Sequence, residues 1–142
     1  MNIKFVKLRS GAQAPRRQTP GSAGLDLCAC APTEILPGET VLIPLGFGTE
    51  IPLGLAGFVF SRSGLGAKKG IVVAQGVGVI DSDYRGEWLV PLRNLSQEAY
   101  QVAPGERIAQ VVFLPVDPAE FTEVESLADT QRGEGGFGST KG

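Results

Sequence analysis

Short apolar runs alternate with glycine and proline along the whole chain. They are IKFVKL (3–8), GLDLCACA (24–31), TVLIPLG (40–46), GFVFS (57–61), GIVVAQG (70–76), EWLVPLRN (87–94), AYQV (99–102) and RIAQVVFLPV (107–116). Each is rich in Val, Ile, Leu or an aromatic and is bounded by turn formers, which predicts strands. In the second run Leu25, Leu27 and Ala29 share one face while Asp26 points to the other, as the two-residue period of a strand requires. Turns are predicted at Leu36–Glu39, Ile51–Gly54 and Ala103–Glu106, each of which carries a proline and a glycine. Nowhere do apolar residues recur at the i, i+3, i+4, i+7 spacing of an amphipathic helix. The pattern therefore predicts an all-β fold, a distorted barrel or jelly roll with at most one short helix.

Three stretches depart from this rhythm. SRSGLGAKKG (61–70) is small and polar, and is where the short helix is expected. Val111 to Val116 does not alternate, so that strand is expected to be covered on both faces, the second cover coming from another subunit. GVIDSDYRGE (78–87) runs from apolar Val79 and Ile80 through Asp81, Asp83 and Tyr84 before a strand resumes at Trp88. It reads as a β-hairpin with two acids and a tyrosine at its tip. An acidic turn with a packing tyrosine would look the same. Ser61 to Gly64 offers a guanidinium, hydroxyls and glycine-exposed amides to an anion, although such residues are also common in ordinary surface loops.

Composition narrows the chemistry. A chain of 142 residues is the length of one domain. A net charge of −2 gives no basic face for a nucleic-acid polymer. No apolar run approaches the ~20 residues needed to span a bilayer, and no secretory leader is evident, so a cytoplasmic protein is expected. Cys28 and Cys30 are too close along one strand face for an unstrained disulfide and read as small buried hydrophobes. The chain contains no histidine. Histidine bases, Ser-His-Asp triads and histidine metal sites are excluded, leaving a carboxylate or a lysine as the base of any enzyme working near neutral pH.

The last eleven residues, RGEGGFGSTKG (132–142), include five glycines and one aromatic. Such a segment is expensive to order, and a terminus with no packing partner frays. With SAGLDLCA (22–29), SRSGLGAKKGI (61–71), GVIDSDYRGEW (78–88) and GERIAQVVF (105–113), the tail resembles the five ordered motifs of the homotrimeric deoxyuridine triphosphatases (dUTPases). The resemblance covers nearly the whole chain.

It implies hydrolysis of dUTP to dUMP and pyrophosphate, which supplies dUMP for thymidylate synthesis and limits uracil in DNA. It also implies Mg²⁺ on the triphosphate and a homotrimer with shared active sites. By resemblance, Asp81 activates the water that attacks the α-phosphorus; a carboxylate can accept that proton at neutral pH without histidine. Tyr84 lies against the deoxyribose, where its ring fills the space a 2′-hydroxyl needs. Main-chain groups of Gly78, Val79 and Ile80 read uracil, and Leu89 passes beside the base. Arg62, Ser63, the Gly64 amide and Gln110 contact phosphates, and Asp26 reaches Mg²⁺ through water. Arg107 is assigned an ion-pair role, and Lys68 and Lys69 are solvated. In the tail, Arg132 reaches the γ-phosphate, Phe137 stacks on uracil, and Gly138, Ser139 and Thr140 wrap the phosphates. Residues 1–128 would form the β domain and 129–142 a lid that orders on substrate. Two positions depart from the family pattern. Gln75 stands where Asn is common, so any side-chain contact to uracil must be re-aimed, and Ser61 stands where Pro is frequent.

Two rivals remain at this level. The related dCTP deaminases share the barrel and the trimer but lack the Asp-x-Asp-Tyr segment, and ammonia release from dCTP would identify them. A trimeric nucleotide-binding module without catalysis would have little use for Asp81.

Overall fold

The computed structural model describes residues 1–139. The strands are β1 (Lys4–Lys7), β2 (Leu25–Cys28), β3 (Thr33–Ile35), β4 (Thr40–Pro44), β5 (Phe47–Glu50), β6 (Leu55–Ser61), β7 (Ile71–Val73), β8 (Gly78–Ile80), β9 (Leu89–Asn94), β10 (Tyr100–Val102) and β11 (Arg107–Pro115), with one helix, α1 (Ser63–Lys69). Every apolar run of the sequence contains a strand. β3 and β5 arise from segments that no apolar run announces.

All pairings are antiparallel. A four-stranded sheet has the order β2-β11-β6-β8 and a three-stranded sheet the order β4-β9-β7, with β1-β5 and β3-β10 as two-stranded ribbons. The all-β, jelly-roll-like expectation holds, but no closed barrel forms among the described residues. Strands this short, interrupted by turns, divide the backbone into separate ladders instead of one continuous ring.

Side chains from all four sheets meet in one core that includes Leu27, Ile35, Ile43, Phe47, Val59, Ile71, Trp88, Leu92, Ile108 and Val111. Trp88 is its largest fully buried member. Its ring lies 5.3 Å from Phe47 and 6.5 Å from Phe113, centre to centre. Its indole N–H donates to Thr49 Oγ1 at 3.0 Å, so burial leaves no polar orphan. The buried Asn94 is satisfied in the same way: its Nδ2 donates to the Ile35 and Glu98 carbonyls at 2.9 and 2.7 Å.

The turns at Leu36–Glu39 and Ala103–Glu106 close as expected, with the last amide donating to the first carbonyl at 3.0 and 3.1 Å. The third turn bond falls one residue late, from the Leu55 amide to the Pro52 carbonyl. Helix α1 buries Leu65, ends at Gly70 in the left-handed conformation, and carries Lys68 and Lys69 exposed in its last turn, where cations suit the helix dipole. Cys28 and Cys30 are both free thiols and only half-buried, not core residues. They lie at the margin of the core, where the fully buried Ala29 between them takes the inward position.

One expectation fails outright. Residues 78–90 do not form a hairpin, because β8 pairs with β6 whereas β9 pairs with β4 and β7. The chain crosses between two sheets. It is held in this crossing by the Trp88 amide, which donates to the Phe47 carbonyl at 2.9 Å, and by the Trp88 carbonyl, which accepts from Leu45 at 3.0 Å. Burying the indole fixes the crossing, and local turn chemistry does not. In β11, Val111 is buried and Val112 and Phe113 are partly covered, but Leu114, and Val116 just beyond the strand, are exposed in the single chain. From Asp117 to Ser139 there is no strand or helix. No helix among the described residues is long and apolar enough to cross a membrane.

Candidate active site

Two groups of the sequence-predicted residues come together, at different places on the four-stranded sheet. The first lies where β6 passes into α1. Asp26 on β2 faces Gln110 on β11, which in turn faces Phe60 on β6. Asp26 is mostly buried, and each of its oxygens has a cationic partner: Oδ1 is 3.2 Å from Arg62 Nε, and Oδ2 is 3.1 Å from Arg107 Nη1. Arg62 also donates to the Arg107 carbonyl at 2.8 Å. The expected ion-pair role of Arg107 is therefore borne out. The two guanidinium groups outnumber the one carboxylate, leaving excess positive charge beside the start of α1. There Ser63 and Gly64 are exposed, and Gln110 Nε2 is held by the Ser61 carbonyl at 3.0 Å.

Nearby, burial and then the Asp26 charge push the Cys28 thiol pKa up, with Arg107 and Arg62 partly opposing them. The Ser61 hydroxyl accepts the Val73 amide at 2.8 Å. A proline here would forfeit that tie between β6 and β7. The Ser61 hydroxyl thus stitches the motif to the core.

The second group follows β8. Gly78 is buried opposite Val59, Val79 is exposed, and Ile80 is half-buried opposite Gly57. Gln75 is exposed, with its Nε2 close beside Gly78, 3.3 Å from where a β-carbon would stand. An amide at this position thus meets the backbone that resemblance assigns to uracil, even with the longer glutamine arm. Asp81 is exposed at the strand end, and its carbonyl accepts the Tyr84 amide at 3.2 Å. The Tyr84 hydroxyl donates to the Glu87 carbonyl at 2.8 Å. The ring lies so close over Gly86 that a β-carbon there would stand 2.4 Å from the hydroxyl oxygen; only glycine lets the ring lie down. Leu89 begins β9 in the other sheet and is partly exposed.

The chain does not bring the two groups to one another. Ile80 sits opposite Gly57, whereas Arg62 follows Ser61. Five residues of strand at ~3.3 Å each put roughly 16 Å between the acidic segment and Arg62.

Nor does the described part of the tail, residues 132–139, reach either group. Arg132 Nε donates to the Gly135 carbonyl at 2.8 Å, and the Ser139 amide donates to the Gly136 carbonyl at 3.1 Å, so these turns are purely local. Phe137 is fully exposed at a positive φ of 49°, followed by Gly138 at 85°. Thr140 lies outside the described residues. Sequence reasoning missed Arg9, Gly86 and Glu87. Arg9 and Glu87 are 78 residues apart and share no motif.

No cluster of three or more Asp, Glu or Cys able to hold a metal exists among the described residues. The net-positive group of Asp26, Arg62 and Arg107 suits an anionic polyphosphate, and a hydrated divalent ion would arrive there on that polyphosphate.

The family model described as dUTPase matches residues 10–141. A deoxyuridine 5'-triphosphate nucleotidohydrolase of Pectobacterium carotovorum is 50% identical, over 97% of this chain and 94% of that protein. The protein of the same name from Thiobacillus denitrificans is 48% identical, over 99% and 98%. Among solved structures, the dUTPase of Staphylococcus bacteriophage 80alpha in complex with dUPNHPP superposes with a TM-score of 0.91 at 27% identity, over 98% of both chains.

Proposed function

The chain belongs to the dUTPase family and hydrolyses dUTP, and from that premise we propose that each active site is assembled from more than one copy of the chain. The observation that carries this reading is the strand register: Ile80, beside Asp81, sits opposite Gly57, five residues or roughly 16 Å before Arg62. A base must come within hydrogen-bond reach of the water it activates, and that water must lie in line with a phosphorus whose chain the cationic group holds. One copy cannot supply both. A homotrimer supplies them from neighbouring copies, and the exposed Leu114 on β11 and Val116 just beyond it offer an apolar face for that contact.

In this arrangement Asp81 takes the proton from the attacking water, and dUMP and pyrophosphate leave. Arg62, Ser63, Gly64 and Gln110 hold the phosphates with charge, hydroxyl and amide donors. Gly78, Val79 and Ile80 present main-chain groups to uracil, with Gln75 and Leu89 beside it, and Tyr84 closes the space at the sugar's 2′ position. Mg²⁺, when bound with the substrate, neutralises triphosphate charge, and Asp26 holds its water shell. Residues 129–142 form the lid over the site. Ordering them on the nucleotide is offset by Phe137 stacking, about 1–3 kcal/mol for an aromatic on a base, and by charge-assisted bonds from Arg132. Ser139 and Thr140 hydroxyls with the Gly138 amide complete the wrap. The enzyme acts in the cytoplasm, on the dUTP pool.

The test is pyrophosphate release from dUTP, dCTP, dTTP and UTP in parallel, with and without Mg²⁺, alongside sedimentation. Turnover confined to dUTP and enhanced by the metal, from a trimer, is expected. A fully active monomer would overturn the shared site.

A further inference from the structure

Glu87 gathers contacts from segments remote in sequence. Arg9 grips its carboxylate with both arms of the guanidinium, Nε to Oε1 at 2.7 Å and Nη2 to Oε2 at 2.8 Å. The Gly46 amide donates to the same Oε1 at 3.1 Å. The ring closes on itself, because the Leu8 and Arg9 amides donate to the Gly46 carbonyl at 2.7 and 3.1 Å. The carboxylate is only 19% exposed, so the fork-on-fork pair is partly shielded from water. Its hydrogen bond and charge raise the pKa of Arg9 above the ordinary value.

The opposite side of Glu87 faces the predicted sugar site. Its carbonyl accepts the Tyr84 hydroxyl at 2.8 Å. The intervening backbone has little room, since the Arg85 and Gly86 carbonyls lie 3.1 and 3.2 Å from where a β-carbon on Gly48 would stand. The next residue, Trp88, is bonded on both sides to the β4–β5 segment and buried. Glu87 is therefore held at its side chain and at its successor, while its carbonyl holds the tyrosine.

We infer that the Arg9–Glu87 pair is a positioning device for sugar selection: it fixes the carbonyl that tethers the Tyr84 hydroxyl, so the ring cannot recoil from a 2′-hydroxyl. This rests on the reading that Tyr84 faces the deoxyribose. A steric barrier discriminates only if it is rigid. A ring free to move by a few tenths of an ångström becomes a pocket that merely tolerates a hydroxyl, which discriminates by only ~10². Neither Arg9 nor Glu87 needs to touch the nucleotide.

The experiment measures kcat and KM for dUTP and for UTP in the full-length enzyme. The variants are Glu87→Gln, Arg9→Ala, Arg9→Lys, Tyr84→Phe and Tyr84→Ala, each with its melting temperature. Tyr84→Ala should collapse the preference for dUTP. Glu87→Gln, Arg9→Ala and Tyr84→Phe should each lower the dUTP-to-UTP ratio of kcat/KM by about tenfold or more, mainly through a lower KM for UTP. Arg9→Lys, which keeps charge but not the fork, should fall between wild type and Arg9→Ala. A purely structural pair would lower the melting temperature and depress both substrates alike, leaving the ratio unchanged, and that result overturns the inference. If Tyr84→Ala collapses the ratio while Tyr84→Phe and Arg9→Ala preserve it, the ring gates the sugar but the tether is irrelevant. If Tyr84→Ala itself preserves the ratio, the placement of Tyr84 at the sugar fails, and the tether with it.

Discussion

Two single residues carry the sharpest expectations. Asp81 is exposed at the end of β8 and free to meet solvent. Asp81→Asn keeps its shape and removes its basicity, so dUTP binding should persist while kcat falls at least ~10²-fold. Single-turnover kinetics with a parallel binding isotherm checks this, and near-normal turnover would remove Asp81 from the role. Gly86 is constrained by contact: a methyl there would collide with the Tyr84 ring, beginning 2.4 Å from its hydroxyl oxygen. Gly86→Ala should leave the core intact, with a melting temperature near that of wild type, but should sharply weaken kcat/KM for dUTP because the ring must lift. Asp81, Tyr84 and Arg62 could be singled out as candidates in the sequence because they sit inside compact motifs. Arg9 and Glu87 were not, because an ion pair across 78 residues leaves no local trace.

At the scale of elements, the strands were readable wherever apolar residues cluster, and unreadable where tertiary context supplies the pairing. β5 is Phe-Gly-Thr-Glu, too short and mixed to announce itself, and exists because β1 pairs along it. The supposed hairpin at 78–90 failed for a related reason. Periodicity reports that a segment is extended, not which neighbour it finds, and Trp88 drew the chain into the second sheet. The turn from β10 to β11 offers a test of its own. The Tyr100 hydroxyl donates to the Glu106 carboxylate, whose other oxygen accepts the Ala103 amide at 2.9 Å. Burial first, then that bond and the adjacent negative charge, push the tyrosine pKa from 10.0 up to about 12. The folded chain therefore keeps this proton to higher pH than the unfolded chain does. The contribution is full below pH ~10 and is lost as pH rises toward about 12. Urea unfolding across that window should show stability falling with pH, and Tyr100→Phe should flatten that part of the slope.

On the scale of the whole molecule, what one chain leaves undone is as informative as what it completes. A core with every buried polar side chain among the described residues satisfied sits beside an exposed β11 flank and a long segment, 117–139, without regular structure. Truncation before Arg132 removes nothing from the core, so the shortened protein should melt and sediment as the full one does yet lose most dUTP turnover. Full activity after truncation would refute the lid. The glycine-rich tail was conspicuous in the sequence, but its destination was not, because nothing among the described residues receives Phe137. The separation of Asp81 from Arg62 along β6 also has a genetic consequence. If each site is shared between copies as proposed, Asp81→Asn and Arg62→Ala would damage different copies' contributions to it, so two inactive proteins, unfolded together and refolded as mixed assemblies, should recover about a quarter of the intact sites. A cell carrying one defective allele of each kind would then be healthier than a cell carrying either allele alone.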